Sequence, residues 1–263
     1  MLQDLIPIVV DFPKGEDVHI KPLGDLHIGS RQFDEKRWNA WKESIGDKKI
    51  VIVGDLVNNG IKSSVSSTYE EQMMPGAQKE WLYKELEPFA DNIICGVGGN
   101  HEKRSKREVD MDPLYDVFCR LKIEDKYRQS MAFCFLRIGG ADHKHLTAKY
   151  RPSYCMLVTH GNGGGQLIGS GLNRVERYGS VIEGLDLMIT GHTHKPAMFP
   201  SGKLIMDMRN KAVLQRQFVS VVCSSMMEYG GYPMDKMLGP TGHADQEIVL
   251  SSYHKGIKVI QDT

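Results

Sequence analysis

Five apolar segments of this chain each end at a residue whose side chain can bind a metal ion or transfer a proton. The segments cover residues 20–24, 49–54, 93–97, 156–159 and 185–191. Short apolar runs that stop at glycine or at a polar residue are typical of buried strands. Strands that run in the same sense bring their carboxyl ends to one edge of a sheet, where open α/β sheets bind ligands. The pattern therefore predicts an α/β protein with a functional site along one edge.

The residues at these strand ends are carboxylates, imidazoles and one amide. Seven of them can bind metal, namely Asp25, His27, Asp55, Asn100, His160, His192 and His194. One tetrahedral ion needs fewer ligands, whereas two ions that share a carboxylate use about this number. The set contains no cysteine, and its imidazoles argue against magnesium or calcium alone, so Mn, Fe, Zn or a similar ion is favoured. Unrelated polar residues at strand ends are the alternative, but they would not explain the same ligand types after five strands.

The remaining pattern places helices between the strands. Apolar residues at helical spacing in segment 34–45 predict a helix that makes the strands over 18–23 and 49–53 parallel. A strand over 5–10 is expected to pair with the strand over 18–23 as a hairpin, because Pro13-Lys14-Gly15 reads as a turn.

Two further helices are predicted from their first residues. Thr68-x-x-Glu71 has the form of a capping box, which predicts a helix that reaches about residue 90. Asp112 and Pro113 have the form of an N-cap followed by proline at the first helical position, which predicts a helix to about residue 121.

The C-terminal part of the chain has a different pattern. Short β-runs follow one another without helices over 197–263, which indicates antiparallel pairing. We expect this part to complete a second sheet within a single domain that spans 1–263. His143 and His145 lie in a polar loop between predicted strands and are expected to be surface residues.

Composition limits the classes of function. The chain has 33 basic and 33 acidic side chains, so its net charge indicates neither nucleic acid nor a membrane as a partner. Its five cysteines are odd in number and widely spaced, which is typical of free thiols in a reducing compartment. No apolar stretch approaches the ~20 residues of a membrane span. A cytoplasmic protein with no membrane partner is expected, and the pattern does not indicate its oligomeric state.

A basic cluster follows the Gly98–Glu102 segment. Lys103-Arg104-Ser105-Lys106-Arg107 holds four cations in five residues. Short charge runs usually only solvate a loop, but this one lies next to the predicted site, where cations would meet phosphate. Both interpretations stay open at this point.

The order of the motifs resembles that of the calcineurin-like metallophosphoesterase superfamily. Asp-x-His, Gly-Asp, Gly-Asn-His-Glu, His-Gly and Gly-His-x-His occur in this order over roughly residues 20–196. The resemblance implies a four-layer α/β/β/α sandwich of two mixed β-sheets flanked by helices. It implies a dinuclear centre of two divalent transition-metal ions, with Mn favoured and Fe, Zn, Ni or Co as alternatives.

The same resemblance assigns roles to the residues. One ion is bound by Asp25, His27, Asp55 and His194, and the other by Asp55, Asn100, His160 and His192, with Asp55 bridging. His101 is then no ligand but the acid that assists the leaving oxygen, or a stabiliser of the transition state. Two such ions lower the pKa of a shared water and hold the phosphoryl oxygens, so that metal-activated hydroxide attacks in line.

The second motif departs from one branch of the superfamily. The Ser/Thr protein phosphatases read Gly-Asp-x-Val-Asp-Arg-Gly, whereas this chain has Asn58 and Asn59 in place of the Asp and the Arg. The opening Asp-Leu-His-Ile-Gly resembles bacterial and phage Mre11/SbcD-like phosphoesterases, and Leu-Val-Asn resembles class III phosphodiesterases. A phosphodiesterase that acts on a nucleotide or on DNA is expected, with the Asn58 amide bonding a non-bridging oxygen. A phosphomonoesterase and a catalytically silent binding protein are the alternatives.

Overall fold

Two six-stranded sheets form the centre of the protein. The structure is a computed structural model and describes residues 5–62, 64, 70–139, 151–163 and 167–263. Thr68, His143 and His145 lie outside these residues. Each sheet mixes parallel and antiparallel pairs, as the sequence predicted.

The first sheet is built from strands in both halves of the chain. Its strands are β1 (Ile8–Phe12), β6 (Met131–Ile138), β7 (Ser153–Thr159), β8 (Leu187–Thr190), β9 (Ala197–Asp207) and β10 (Ala212–Val222). They lie in the order β1-β6-β7-β8-β10-β9. The β7, β8 and β10 strands run parallel, so that their carboxyl ends lie at the same edge.

The second sheet combines the early strands with the last two. Its strands are β2 (Val18–Leu23), β3 (Lys49–Ile52), β4 (Ile93–Val97), β5 (Tyr127–Arg128), β11 (Asp245–Leu250) and β12 (Ile257–Asp262). They lie in the order β12-β11-β2-β3-β4-β5. The four strands from β2 to β5 run parallel. The edge at which β2, β3, β4, β7 and β8 end is called the site edge below.

Helices cover the outer faces of both sheets. They are α1 (Glu35–Glu43), α2 (Pro75–Leu86), α3 (Glu102–Val109), α4 (Pro113–Arg120), α5 (Ile168–Ser180) and the short α6 (Tyr232–Asp235). The α1 helix begins after Asp34, whose carboxylate accepts a hydrogen bond from Arg37 N, and α4 begins after Asp112, which accepts from Leu114 N and Tyr115 N. The start of α4 confirms the predicted N-cap at Asp112, and Asp34 caps the helix that the apolar spacing predicted.

Three apolar clusters hold these layers together. The largest lies between the sheets and includes Ile20, Val51, Tyr154 and Val221. A second packs α1, α2 and α4 on the outer face of the second sheet, and a third packs α5 on the first sheet. The predicted α/β/β/α layering is thus confirmed, and it leaves the site edge as the place where strand ends from both sheets meet.

Three expectations about the elements are wrong. The β1 strand does not form a hairpin with β2, because β1 pairs in parallel with β6 in the other sheet. The α2 helix begins at Pro75 without a capping box, and the Glu71 carboxylate instead accepts hydrogen bonds from Asn58 and Gln78. Residues 197–263 do not complete one sheet, since β9 and β10 extend the first sheet whereas β11 and β12 extend the second.

Two observations concern membrane spans and cysteines. Among the described residues no helix is long and apolar enough to cross a membrane. All five cysteines carry free thiols, and three of them are buried.

Candidate metal centre

Loops that follow β2 and β3 continue the pairing of these strands beyond their last residues. Asp25 N donates to Gly54 O at 3.0 Å, and His27 N donates to Asp55 O at 3.1 Å. This extended register brings Asp25, His27 and Asp55 side by side at the site edge. Their side chains are almost completely buried, at 0%, 4% and 2% exposure.

Most of the predicted ligands have a strained backbone. Five of the seven adopt a positive φ, at +50° for Asp25 and His27, +53° for Asp55, +72° for His192 and +56° for His194. The left-handed region costs a residue with a side chain about 1–2 kcal/mol. Strain of this kind concentrates at functional sites, where the surrounding fold holds it in place.

Two glycines let the ends of β3 and β4 approach each other. Gly54 has a φ of +91°, and a Cβ there would lie 2.4 Å from Gly99 N. A Cβ on Gly99 would lie 2.0 Å from Asp55 Oδ1 and 2.5 Å from Asp55 N. The position of the Asp55 carboxylate therefore depends on the missing side chain of Gly99.

Each carboxylate has one oxygen tied to the backbone and one directed at the imidazoles. Asp55 Oδ1 accepts from His101 N at 2.8 Å, and Asp55 Oδ2 lies 3.1 Å from His160 Nε2 and 4.0 Å from His27 Nε2. Asp25 Oδ2 accepts from His192 N at 2.9 Å. Among the described residues Asp25 Oδ1 has no hydrogen-bond partner, although it is buried and lies 3.3 Å from His194 Nε2.

The imidazoles are oriented in the same way, with one nitrogen held by the protein and one facing the carboxylates. His160 Nδ1 lies 2.8 Å from Val53 O, and His27 Nδ1 lies 3.3 Å from Asn58 Oδ1, so each of these nitrogens carries the proton. Donation to an oxygen of the protein is how metal-binding histidines are usually oriented.

The nitrogens that face inward lie close to one another. His27 Nε2 is 3.2 Å from His194 Nε2, and His160 Nε2 is 3.1 Å from His192 Nδ1 and 3.0 Å from Asn100 Oδ1. Two imidazole lone pairs at this distance repel each other unless a proton or a cation lies between them.

These atoms form overlapping groups with the geometry of a metal site. One contains Asp25, His27 and His194, and another contains Asp55, His160 and His192. The ligand atoms of each group lie within 4.8 Å of one another. Buried nitrogen and oxygen donors with an unpaired carboxylate oxygen fit divalent transition-metal ions. A third group, His27, Asp55 and His101, shows that His101 also lies within reach of the carboxylates.

The pKa shifts within the site also indicate that positive charge is needed to balance the carboxylates. Burial lowers the pKa of His160, but the Asp55 carboxylate raises it to about 9. Burial raises the pKa of Asp55, yet the charges of His160 and His101 hold it well below its ordinary value. Without a metal ion, protonated imidazoles neutralise the carboxylates, and a divalent ion would replace these protons.

Glu102 is a site residue for which the sequence pattern gave no role. Its buried carboxylate accepts hydrogen bonds from the backbone N–H groups of Asp55, Leu56 and Gly99, at 3.0, 2.8 and 2.8 Å. Burial and the nearby Asp55 charge raise the pKa of Glu102 to about 7. Its position directly after Asn100 and His101 was the available signal, and its effect is to tie the end of β3 to the end of β4.

Asn58 lies at the site, and its amide contacts two protein side chains. Its Oδ1 lies 3.3 Å from His27 Nδ1, and its Nδ2 donates to the Glu71 carboxylate. Its Oδ1 and one of its two N–H groups are therefore paired within the protein, and the expected bond from this amide to a phosphoryl oxygen stays a prediction. Asn58 also orients His27, and its backbone carbonyl accepts from His101 Nδ1 at 2.7 Å.

The basic cluster lies on α3, and one of its cations turns back to the site. Arg104 Nη2 lies 3.0 Å from His101 Nε2, and Arg104 Nη1 donates to Asn58 O at 3.2 Å. A guanidinium can only donate, so His101 Nε2 accepts and the ring carries its proton on Nδ1. The cluster is therefore helical rather than a loop, and Arg104 donates to the ring nitrogen of His101 that carries no proton.

Comparison with known proteins agrees with this geometry. A family model described as calcineurin-like phosphoesterase matches residues 19–196, which include all seven predicted ligands and His101. No curated protein matches the chain.

Proposed function

Because the chain belongs to the calcineurin-like phosphoesterase family and is a metal-dependent phosphoesterase, we propose that it hydrolyses phosphodiesters of nucleotides or nucleic acid with two divalent ions. The observation that carries the proposal is the pair of ligand groups on either side of Asp55. Asp25, His27 and His194 would hold one ion, and Asn100, His160 and His192 the other, with the Asp55 carboxylate shared between them. Manganese is the proposed metal, because the donors are imidazole nitrogens and hard oxygens.

The chain's own residues provide a prepared site. Bound ions would supply Lewis-acid chemistry, which neutralises phosphoryl charge and makes hydroxide available near neutral pH. Glu102 and the backbone donors to Asp25 and Asp55 hold the carboxylates in place before substrate arrives. His101 and Arg104 lie together beside Asp55, where an Arg104 N–H group can donate to the leaving oxygen. His101 can do so once Arg104 has left its Nε2 and that nitrogen has taken up a proton.

The charge of the site supports a diester. A monoester dianion needs more positive charge near the ions than a diester monoanion does. Asn59 replaces the arginine of the related protein phosphatases, and its amide is occupied by His101 O and Ser105 Oγ at 2.7 and 2.9 Å. Arg104 supplies one positive charge, part of whose hydrogen-bonding capacity is used by His101 and Asn58.

A phosphomonoesterase is the second candidate, and the position of Arg104 is the observation that favours it. If the Arg104 guanidinium left His101 and turned to the phosphoryl group, it would provide the positive charge that a monoester dianion needs. The two candidate functions make opposite predictions for the ratio of kcat/KM on a diester to kcat/KM on a monoester.

The test is kcat/KM for bis-p-nitrophenyl phosphate divided by kcat/KM for p-nitrophenyl phosphate, measured with the Mn-loaded protein at one pH. We expect a ratio above one. A ratio well below one would replace the diesterase proposal with the monoesterase. Protein stripped by a chelator and then reloaded serves as the control for dependence on metal.

A further inference from the structure

The β9 strand forms one edge of the first sheet and is the longest edge strand that the structure describes. It has 11 residues, compared with 5 in β1, 2 in β5 and 6 in β12. Within the described part of the chain β9 pairs only with β10, so the N–H and C=O groups on its other side have no strand partner. An edge of this kind can pair with a strand of another chain.

The exposed side chains near the end of β9 are apolar. Leu204 and Met206 are 74% and 80% exposed, and Val213, which lies opposite Met206 on β10, is 64% exposed. These three side chains lie on one face of the sheet, because alternate residues of a strand share a face. The exposed residues of β12, the edge strand of the second sheet, are instead all polar. A contiguous exposed apolar patch on a strand edge is typical of a protein–protein contact.

Two residues of opposite charge lie on the other face of β9. Lys203 and Asp207 are separated by four positions, with Ile205 midway between them. The Asp207 carboxylate accepts hydrogen bonds from Asn210 N and Asn210 Nδ2 at 3.0 and 2.6 Å, which hold it at the end of the strand. Lys203 Nζ donates to Ile182 O, and an ammonium group has further N–H groups to donate. Both charges can therefore still pair with a neighbouring strand.

The order of these residues is self-complementary. If two copies of β9 pair antiparallel about Ile205, Lys203 of each copy lies opposite Asp207 of the other. Leu204 then lies opposite Met206 on the apolar face. A register centred on Lys203 or on Asp207 would instead place like charges opposite each other, which destabilises a strand pair. The sequence of β9 therefore favours one register with a second copy of itself.

We propose that the β9 edge binds a second copy of this chain, so that the two first sheets join into one across a two-fold axis at Ile205. Such an axis lets one surface contact itself, which is the commonest symmetry of protein dimers. The paired segment, residues 203–207, does not include Pro200, which has no N–H group to donate. The proposal is independent of the proposed function, because β9 contains no predicted residue of the metal centre.

Antiparallel pairing also determines how the two metal centres are oriented. The β9 strand is antiparallel to β10, which is parallel to β8, so β9 begins at the site edge where β8 ends. Pairing two copies of β9 in opposite directions therefore turns their site edges away from each other. Each metal centre should act alone, so kcat per chain should not change when the dimer dissociates.

The test uses two single substitutions that should pair with each other but not with themselves. Lys203→Asp makes both charged positions of β9 acidic, and Asp207→Lys makes both of them basic. A homodimer of either variant would place like charges opposite each other at both ends, so its Kd should rise at least about tenfold. A mixture of the two variants has opposite charges at both ends and should form a heterodimer.

Two further variants complete the experiment. Leu204→Glu changes a highly exposed side chain, so it should leave the melting temperature unchanged while it weakens association. Lys258→Asp makes on β12 the same change of charge as Lys203→Asp makes on β9, and it should leave association unchanged. The melting temperature of each variant, measured on the same samples, verifies that it is folded.

Sedimentation velocity over about 1 to 100 µM protein measures association. The wild type should be a dimer at the upper end of this range and should dissociate on dilution, because an interface of one strand pair is small. Restored association in the mixture of Lys203→Asp and Asp207→Lys would support the proposal, since the two charges then lie opposite each other across the interface.

Three results would overturn the proposal. The first is a wild type that remains monomeric at about 100 µM, where even a small specific interface should associate. The second is a dimer that Lys203→Asp and Leu204→Glu form as tightly as the wild type, since that dimer would use another surface. The third is a pair of folded, monomeric charge variants that do not associate when they are mixed.

Discussion

The buried ligands of the metal centre and the His101–Arg104 pair beside them are built differently. Asp25, Asp55 and their neighbours have positive φ values, and backbone N–H groups hold their carboxylates. His101 has an ordinary helical φ of −71°, its side chain is 14% exposed, and its partner Arg104 reaches in from the surface helix α3. The ligands are thus fixed before substrate binds, whereas the pair can change partners. Binding of metal and transfer of protons should therefore respond to different substitutions.

The largest effect is expected for Asp55→Asn, which removes the carboxylate shared by both ligand groups. Loss of a residue that hydrogen-bonds a ligand lowers metal affinity or activity ~10–100-fold, and loss of a direct ligand should lower them further. Elemental analysis should find less than one equivalent of metal, together with activity near background. Asp47→Asn on an exposed turn is the control. Full metal content and activity in Asp55→Asn would show that the ligands do not act as proposed.

A similar loss is expected for Gly99→Ala, although it changes no ligand. The added Cβ would lie 2.0 Å from Asp55 Oδ1, so the carboxylate must move. Overpacking of this kind costs about 1–3 kcal/mol of stability. Gly76→Ala, where a Cβ has no neighbour within 4 Å, is the matched control and should not lower the melting temperature. Normal metal affinity in Gly99→Ala would mean that the ligands are less fixed than the strained backbone indicates.

His101→Ala should separate the two parts of the site most clearly. We expect kcat to fall by ~10²–10⁴, as for a lost general acid, because in the proposed reaction His101 Nε2 takes up a proton when Arg104 leaves it and donates that proton to the leaving oxygen. Metal content should remain that of the wild type, as measured by elemental analysis of the same sample. Loss of metal together with activity would place His101 among the ligands, as its group with His27 and Asp55 allows.

A smaller effect is expected for Arg104→Met. A hydrogen bond to a charged group contributes about 1.5–3 kcal/mol, so hydrolysis of a monoester should fall at least about tenfold. Hydrolysis of a diester, which carries less charge, should fall less. Arg104→Lys should restore part of the activity, and Lys106→Met, whose ammonium pairs with Asp110, controls for the loss of charge on α3. Equal losses of activity on both substrates would show that Arg104 acts by positioning His101 rather than by neutralising phosphoryl charge.

The smallest effect concerns Lys103 and Arg107, which lie four residues apart on α3. Neither side chain has a hydrogen-bond or ion-pair partner in the described part of the chain, whereas Arg104 and Lys106 on the same helix do. With a polynucleotide substrate, replacing both by alanine should raise KM and reduce the salt slope of binding by up to about two, because each cation that neutralises a phosphate contributes about one. Bis-p-nitrophenyl phosphate should be hydrolysed as by the wild type. An unchanged salt slope would show that these two cations only interact with solvent and do not contact the phosphates of the substrate.

The comparison also explains which parts of the site the sequence could predict. Asp25, Asp55 and the four histidines follow apolar strands directly, so the strand period and the end of each run indicated their position. Arg104, Glu71 and Glu102 act from helices or loops, where no local pattern indicates direction. Asn58 is predicted to contact substrate from its place in the second motif, and only the structure shows that its amide also pairs with His27 and Glu71.

The pairing of strands shows the same limit. The parallel pair β2 and β3 was predicted, because a helix between two strands requires a crossover connection. The pairing of β1 with β6 was not, because a short turn suggested a local hairpin, whereas the true partner lies far away in the sequence. Likewise the last strands divide between the two sheets, which their β-pattern alone could not indicate.

The sequence by itself determined the layer architecture, the family and the residues at the strand ends, because hydrophobic period and motif order are local properties of the chain. The tertiary structure decided which atoms of those residues face one another, that Arg104 lies against His101, and that Glu102 ties the end of β3 to the end of β4. These features depend on the distances between segments far apart in sequence. They arise only when both sheets are packed and every buried polar group must find a partner.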